Sequence, residues 1–235
     1  YNKSTSDLLG DLASDPTIGW SKVKVNYGSM TNRGVEFTFK SKNMTTADFT
    51  WSSGLNFNYN KNKLTKLEIT DNSMYSYLDK AQNRLGKPMD ALYSVRYKGL
   101  DNAGRPIALT KDGREVKSTA DLTVDDLIYE GTTTPPFAAS LMNNMSYKNF
   151  DLFFMFIYYG GHVMREVQSP YLSKFAELNY TSNMDRVALN YWKKPGDEII
   201  PDIAPGFLSA APPTIANIWE ARHQSVQKGD YLKLR

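Results

Sequence analysis

The sequence predicts an all-β chain of antiparallel hairpins, with long connections between one hairpin and the next. Three observations predict it. Apolar and polar residues alternate with a period of two over strand-length runs. These runs come in pairs joined by short polar turns. The pairs are themselves separated by tens of residues punctuated with Gly, Pro, Asn and Asp.

Taken in order, residues 5–13 read as a strand end. Residues 33–40 alternate, with Val35, Phe37 and Phe39 opposing Glu36, Thr38 and Lys40. The polar stretch 41–48 reads as a turn. Residues 49–60 then alternate again. Phe49, Trp51, Leu55, Phe57 and Tyr59 fall on one face with Ser53, and Asn56, Asn58 and Asn60 fall on the other. A second hairpin pairs 137–147 with 150–159 about a turn at Lys148-Asn149. Its return arm is apolar on both faces, and 152–159 is the longest apolar run in the chain at eight residues. The final residues, from Asp230, read as a strand just begun. The chain opens on Tyr1 and reads as an internal piece of something larger.

The hairpin turns are short, whereas the links over about 61–136 and 162–229 are very long. Compact soluble domains rarely carry such loops. Short turns at one end and long loops at the other is the layout of a transmembrane β-barrel, whose strands are apolar outside and polar inside. The expected fold is therefore a set of antiparallel hairpins from a large transmembrane β-barrel with long extracellular loops, a partial barrel. On that reading Trp51, Phe57 and Tyr59 face lipid, and Glu36, Asn56, Asn58 and Asn60 face the lumen. The alternative is a soluble β-sandwich with large insertions. A second sheet covering Trp51, Leu55 and Phe57 would mark it.

Composition narrows the function classes. The chain has 235 residues, 41% hydrophobic and 23% charged, with mean hydropathy −0.49. It is neither a helical membrane protein nor a low-hydrophobicity disordered chain. A net charge of +3 with scattered Lys and Arg does not argue for nucleic acid. The absence of Cys excludes disulfides, Cys-ligated metals and thiol catalysis. His162 and His223 have no metal-ligand spacing and read as solvated loop histidines. The adjacent acids Asp125-Asp126 and Asp197-Glu198 point oppositely on a strand, so neither pair is a ready acid/base dyad. The run 101–104 fails the calcium-loop pattern and reads as a turn. No catalytic fingerprint is present, so no enzyme, cofactor or metal is expected.

Five segments carry a family resemblance. They are RLGKPMDALYS at 84–94 with YKGLDNAGRP at 97–106, NRGVE at 32–36, SYKNFDL at 146–152, YWKKPGDE at 191–198 with Pro201, and GDYLKL at 229–234. These resemble motifs of SusC/RagA-type TonB-dependent outer-membrane transporters of Bacteroidetes, and they span 32–234. The resemblance implies a barrel of roughly 22 strands with a plugged lumen. It implies that residues 1–235 are part of the barrel domain towards its C-terminal side, with the plug domain and final strands outside this chain. It also implies uptake of an oligosaccharide or peptide across the outer membrane. The partners implied are a SusD-like surface lipoprotein, the TonB system acting through the plug, and the lipid bilayer.

Binding a sugar takes flat aromatic faces and polar groups for hydroxyls. Trp192, Trp219, Tyr171 and Tyr97 in the long links are the candidate substrate-binding residues. The competing role for each is to pack loop against loop. A secreted β-rich glycan-binding module is the second functional reading. A glycan-cleaving enzyme is a third, and it would need two carboxylates across a cleft.

Overall fold

The computed structural model describes residues 1–13, 22–68, 73–79, 81–166, 190–206 and 213–235. In chain order these form β1 (Asn2–Ala13), β2 (Lys22–Thr45), β3 (Phe49–Leu67), α1 (Met74–Asp79), β4 (Ala91–Ser94), β5 (Arg96–Leu100), β6 (Pro106–Leu109) and β7 (Glu115–Val116). There follow β8 (Ile128–Thr132), β9 (Phe137–Tyr147), β10 (Phe150–Gly160), β11 (Val163–Arg165), α2 (Pro213–Glu220), β12 (Val226–Lys228) and β13 (Tyr231–Leu234).

The main sheet has six antiparallel strands in the order β1-β2-β3-β9-β10-β13. Partners directly opposite in such a sheet point to the same side. The register therefore lines apolar residues up across strands. Phe39, Leu55, Leu141, Phe156 and Leu234 form one row. Phe37, Phe57, Ala139, Tyr158 and Leu232 form the next. This side is exposed: Phe37 retains 52% of its accessible surface, Leu141 41% and Phe57 37%. Among the described residues no second sheet packs on it, so the sandwich arrangement does not hold. The opposite side is polar along β2 and β3 but apolar along β10, at Phe153, Met155 and Ile157. There Asn56 donates to Ser140 at 3.2 Å and Asn58 to Glu36 at 3.0 Å.

One polar residue breaks the apolar side. Asn143 is 6% exposed, and its Oδ1 accepts from Trp51 Nε1 at 3.1 Å and from Ser53 Oγ at 2.7 Å. Ser53 in turn accepts from Asn43 at 2.7 Å. The indole satisfies and covers a polar group that water could not reach in an apolar medium.

The predicted hairpins form, with three differences. First, β2 starts at Lys22 and β3 runs to Leu67, well beyond the predicted 33–40 and 49–60. Pairing continues from Arg33 opposite Lys61 to Gly28 opposite Leu67, where the apolar alternation has already stopped. Second, the turn predicted over 41–48 is confined to 46–48, because Ser41 to Thr45 still pair with β3. Polar side chains there look like loop in sequence, yet they bond across strands. Third, the link predicted over 61–136 is not loop but a small folded layer. It holds the pairs β4-β8 and β5-β6-β7 and most of the buried cluster, including Tyr77, Tyr93, Val95, Ala108 and Val116. Ile218 and Ala221, from α2 and the residue after it, complete that cluster. The water-excluded packing thus lies in the connections, while the main sheet leaves its apolar side bare.

Candidate functional site

The two long connections meet at the end of the sheet away from the short turns. The backbone of residues 95–97 hydrogen-bonds to residues 221–224. Val95 N–H donates to Ala221 O at 2.8 Å, His223 N–H to Val95 O at 3.1 Å, and Gln224 Nε2 to Tyr97 O at 3.4 Å. This docking brings Tyr97 on β5 against Trp219 on α2, edge to face, with ring centroids 5.5 Å apart. The Arg222 guanidinium sits 3.6 Å from the Trp219 ring centroid and donates to Trp219 O at 2.8 Å. Arg222 is 5% exposed, and such stacking compensates part of the cost of burying its charge.

A cleft of about 260 Å³ opens here, lined by Tyr97, Leu100, Glu198, Asp202, Trp219 and Arg222 among others. Burial pushes the Tyr97 hydroxyl well above the usual tyrosine range, against the pull of the Arg222 charge. The Trp219 indole N–H is buried without a hydrogen-bond partner among the described residues. Trp219 itself is only 2% exposed, so its ring face is already used by Tyr97 and Arg222.

Trp192 stands at the next corner. Its Nε1 donates to Glu198 Oε2 at 3.1 Å, and Gly196 N–H donates to the same oxygen at 2.8 Å. Hydrogen bonds from the Glu198 backbone amide and from Trp192 hold the Glu198 carboxyl below the usual carboxylate range. Asp197 Oδ2 caps the same loop by accepting from the amides of Lys193 and Lys194, each at 3.0 Å. The Trp192 ring packs on two backbones. A Cβ on Gly104 would fall 2.5 Å from it, and one on Gly206 2.7 Å. The motif at 97–106 is thereby joined to that at 191–198. Gly104 closes a turn in which Asp101 Oδ1 accepts from the amides of Ala103 and Arg105, each at 2.9 Å.

Of the four predicted site residues, Tyr97 and Trp219 come together at the cleft. Trp192 reaches its wall through Glu198. Tyr171 lies outside the described residues. Sequence reading did not single out Arg222, Asp202 or Gln224; a lone Arg in ARHQS carries no spacing signal. Nor are the histidines freely solvated. His162 and His223 are half-buried, each with a buried Nδ1. The acids Asp125-Asp126 end a 3₁₀ turn, where Asp126 accepts from the Thr123 amide and hydroxyl at 2.8 and 2.7 Å. Among the described residues no group of three His, Asp or Glu side chains gathers as metal ligands, and no helix is long and apolar enough to cross a membrane.

A second buried group ties the connections together. Arg165 on β11 donates to the carbonyls of Leu78 and Tyr93. Burial raises the Glu130 carboxyl above the usual range, while the His223 and Arg165 charges pull it down. Burial likewise pushes the Tyr93 hydroxyl up to about 12.

Comparison with known proteins fits this geometry. No protein-family model matches the chain. TonB-dependent receptor P3 of Formosa agariphila is 30% identical over 170 residues, covering 65% of this chain and 17% of that protein. TonB-dependent receptor SusC of Bacteroides thetaiotaomicron is 30% identical over 166 residues, covering 66% of this chain and 16% of SusC. The structure of the RagAB peptide importer in its closed-closed state superposes with a TM-score of 0.68 at 22% identity, over 100% of this chain and 25% of that one. The all-β sheet with exposed apolar rows is thus the fold of a TonB-dependent receptor barrel, in part. Within that class the chain is of the SusC/RagA type, a partial chain spanning about a sixth of its curated relatives' length.

Proposed function

We propose that residues 1–235 form part of the barrel domain of an outer-membrane transporter. The complete protein takes up an oligosaccharide or a peptide by a TonB-dependent route, beneath a SusD-like surface lipoprotein. The plug domain, the TonB-contacting segment and the closing strands belong to the rest of that protein. It performs no covalent chemistry. The observation that carries this reading is the inside-out sheet, with its apolar side bare and its polar side hydrogen-bonded inward. Such a sheet suits lipid on one side and a wet lumen on the other. Both the similarity to TonB-dependent receptors and the paired long connections support it.

The cleft at Tyr97, Trp219 and the Trp192–Glu198 corner is the proposed substrate-facing surface of this chain, with Tyr171 as a further contact. The Arg222 charge on the cleft wall favours an anionic or hydroxyl-bearing group there. The test deletes the complete gene from its host and follows uptake of labelled oligosaccharide and peptide mixtures. Loss of one class, restored by the wild-type gene, supports the reading and names the substrate class. Unchanged uptake of both, with the protein absent from the outer-membrane fraction of the parent strain, overturns it.

A further inference from the structure

We propose that Arg33, Lys61, Lys63 and Lys87 form a binding site for a phosphorylated glycolipid headgroup at the outer edge of the apolar band. The inference rests on the barrel reading above, because only a membrane-inserted sheet brings lipid to this edge.

The positions follow from register. On the apolar side of β3 the outward residues run from Phe49 near the short turn to Tyr59, ten residues on. At about 3.4 Å per residue and a tilt of about 40°, that band is roughly 26 Å tall, the height of a bilayer's apolar zone for such barrels. The last apolar row is Val35, Tyr59 and Phe137. The next two outward positions on β3 are Lys61 and Lys63, both exposed. Arg33 lies directly opposite Lys61 on β2 and faces the same way. By the same arithmetic Lys61 stands about 5 Å and Lys63 about 10 Å beyond the apolar edge, the depth of headgroup phosphates.

Lys87 comes to the same corner from the first connection. Its carbonyl accepts from Leu64 N–H at 2.9 Å, and the neighbouring Gly86 N–H donates back to Leu64 O at 2.9 Å. Its Nζ lies 4.2 Å from the Tyr129 ring centroid. None of the four cations forms an ion pair among the described residues. Four uncompensated charges in one corner, just above an apolar wall, match an anion that carries acyl chains.

A cleft of about 190 Å³ adjoins them, lined by Tyr59, Asn60, Lys61, Tyr129, Thr134 and Phe137 among others. Tyr59 and Phe137 on its wall pack with ring centroids 4.7 Å apart, tilted by 31°. Aromatic faces suit a sugar ring whose phosphates reach the cations. An ethanolamine or glycerol phospholipid headgroup has no ring to fill that cleft, so a phosphorylated sugar lipid is the occupant the corner fits.

The test uses the full-length receptor, extracted in mild detergent and stripped of lipid, and titrates it with lipid A at about 0.15 M salt. The variant combines Arg33→Gln, Lys61→Gln and Lys63→Gln. At about fivefold per cation removed, lipid A binding falls on the order of a hundredfold. A charge-preserving variant, Arg33→Lys with Lys61→Arg and Lys63→Arg, stays within a few-fold of the parent, as does Lys148→Gln at the short-turn end. The deacylated headgroup binds far more weakly than lipid A. If the triple variant binds lipid A as the parent does, or the deacylated headgroup binds as tightly as the lipid, the site is refuted. Heat-modifiable migration checks folding, and Lys61→Gln alone replaces the triple variant if that fails to assemble. Absence of the parent protein from the outer membrane overturns both this site and the transporter reading; normal uptake with no charge dependence of lipid binding overturns this site only.

Discussion

Trp192 lies flat against Gly104, so close that a Cβ on the glycine would meet the indole at 2.5 Å. The two residues belong to different long connections, and the contact locks one to the other. Gly104 also has φ +73°, a conformation that side chains resist. Gly104→Ala combines both penalties and is expected to weaken the docked loops by about 1–3 kcal/mol. Limited proteolysis of the folded receptor reads this as faster cleavage within 97–106 and 191–206, with the barrel strands still protected.

Asn143 offers a sharper test of the membrane-facing sheet. Asn143→Ala leaves the Trp51 and Ser53 donors unpaired in an apolar setting and should cost about 1–3 kcal/mol. Asn143→Leu combined with Ser53→Ala and Trp51→Phe removes the polar group and both of its donors together, and should recover most of the loss. The temperature at which the barrel loses its heat-modifiable migration measures both. A soluble fold with water at this surface would show little effect from either.

The two sides of β3 should respond oppositely to charge. Phe57→Arg puts a cation near the middle of the apolar band and is expected to cost about 2–4 kcal/mol. Asn58→Arg, one residue on, faces the polar side beside Glu36 and should be close to neutral. Outer-membrane yield of the two variants makes the comparison.

Docking of the connections should depend on pH through Glu130. Burial raises its carboxyl in the docked state above the unfolded value, so the docked form holds the proton more tightly. That contribution is complete below the ordinary carboxylate range and is lost as pH rises through the raised value. Protease protection of 91–132 should therefore decline with rising pH over that window. Glu130→Gln should flatten the dependence and keep the loops docked at the upper end.

The alternation in 33–40 and 49–60 made the sheet legible, because lipid and lumen impose opposite polarity on successive residues, and the hairpin 137–159 was legible from its paired strand-length runs about a short turn. The same rule hid the ends of the strands. Beyond Tyr59 neither side meets lipid, so Lys61 to Leu67 keep their ladder without any alternation to report it. The connections were illegible for another reason. Their core is assembled from residues as distant as Tyr77 and Ile218, and no local period reveals a contact of that range. Aromatic content pointed to Tyr97, Trp192 and Trp219, and the structure gathers them at one end. It could not reveal Arg222, whose place against Trp219 depends on the bridge between residues 95 and 222.

The bare apolar rows and the packed connections face different standards of fit. A side chain against fluid acyl chains has only to be greasy, since lipid reshapes itself around any outline. Val95 or Ile218, enclosed at 0% exposure, must match fixed neighbours atom by atom. Two substitution alphabets therefore operate along one polypeptide. Leu, Ile, Phe and Val should exchange freely at Phe37, Leu55 and Leu141 in a saturation library, while the same exchanges at Val95 and Ile218 are purged.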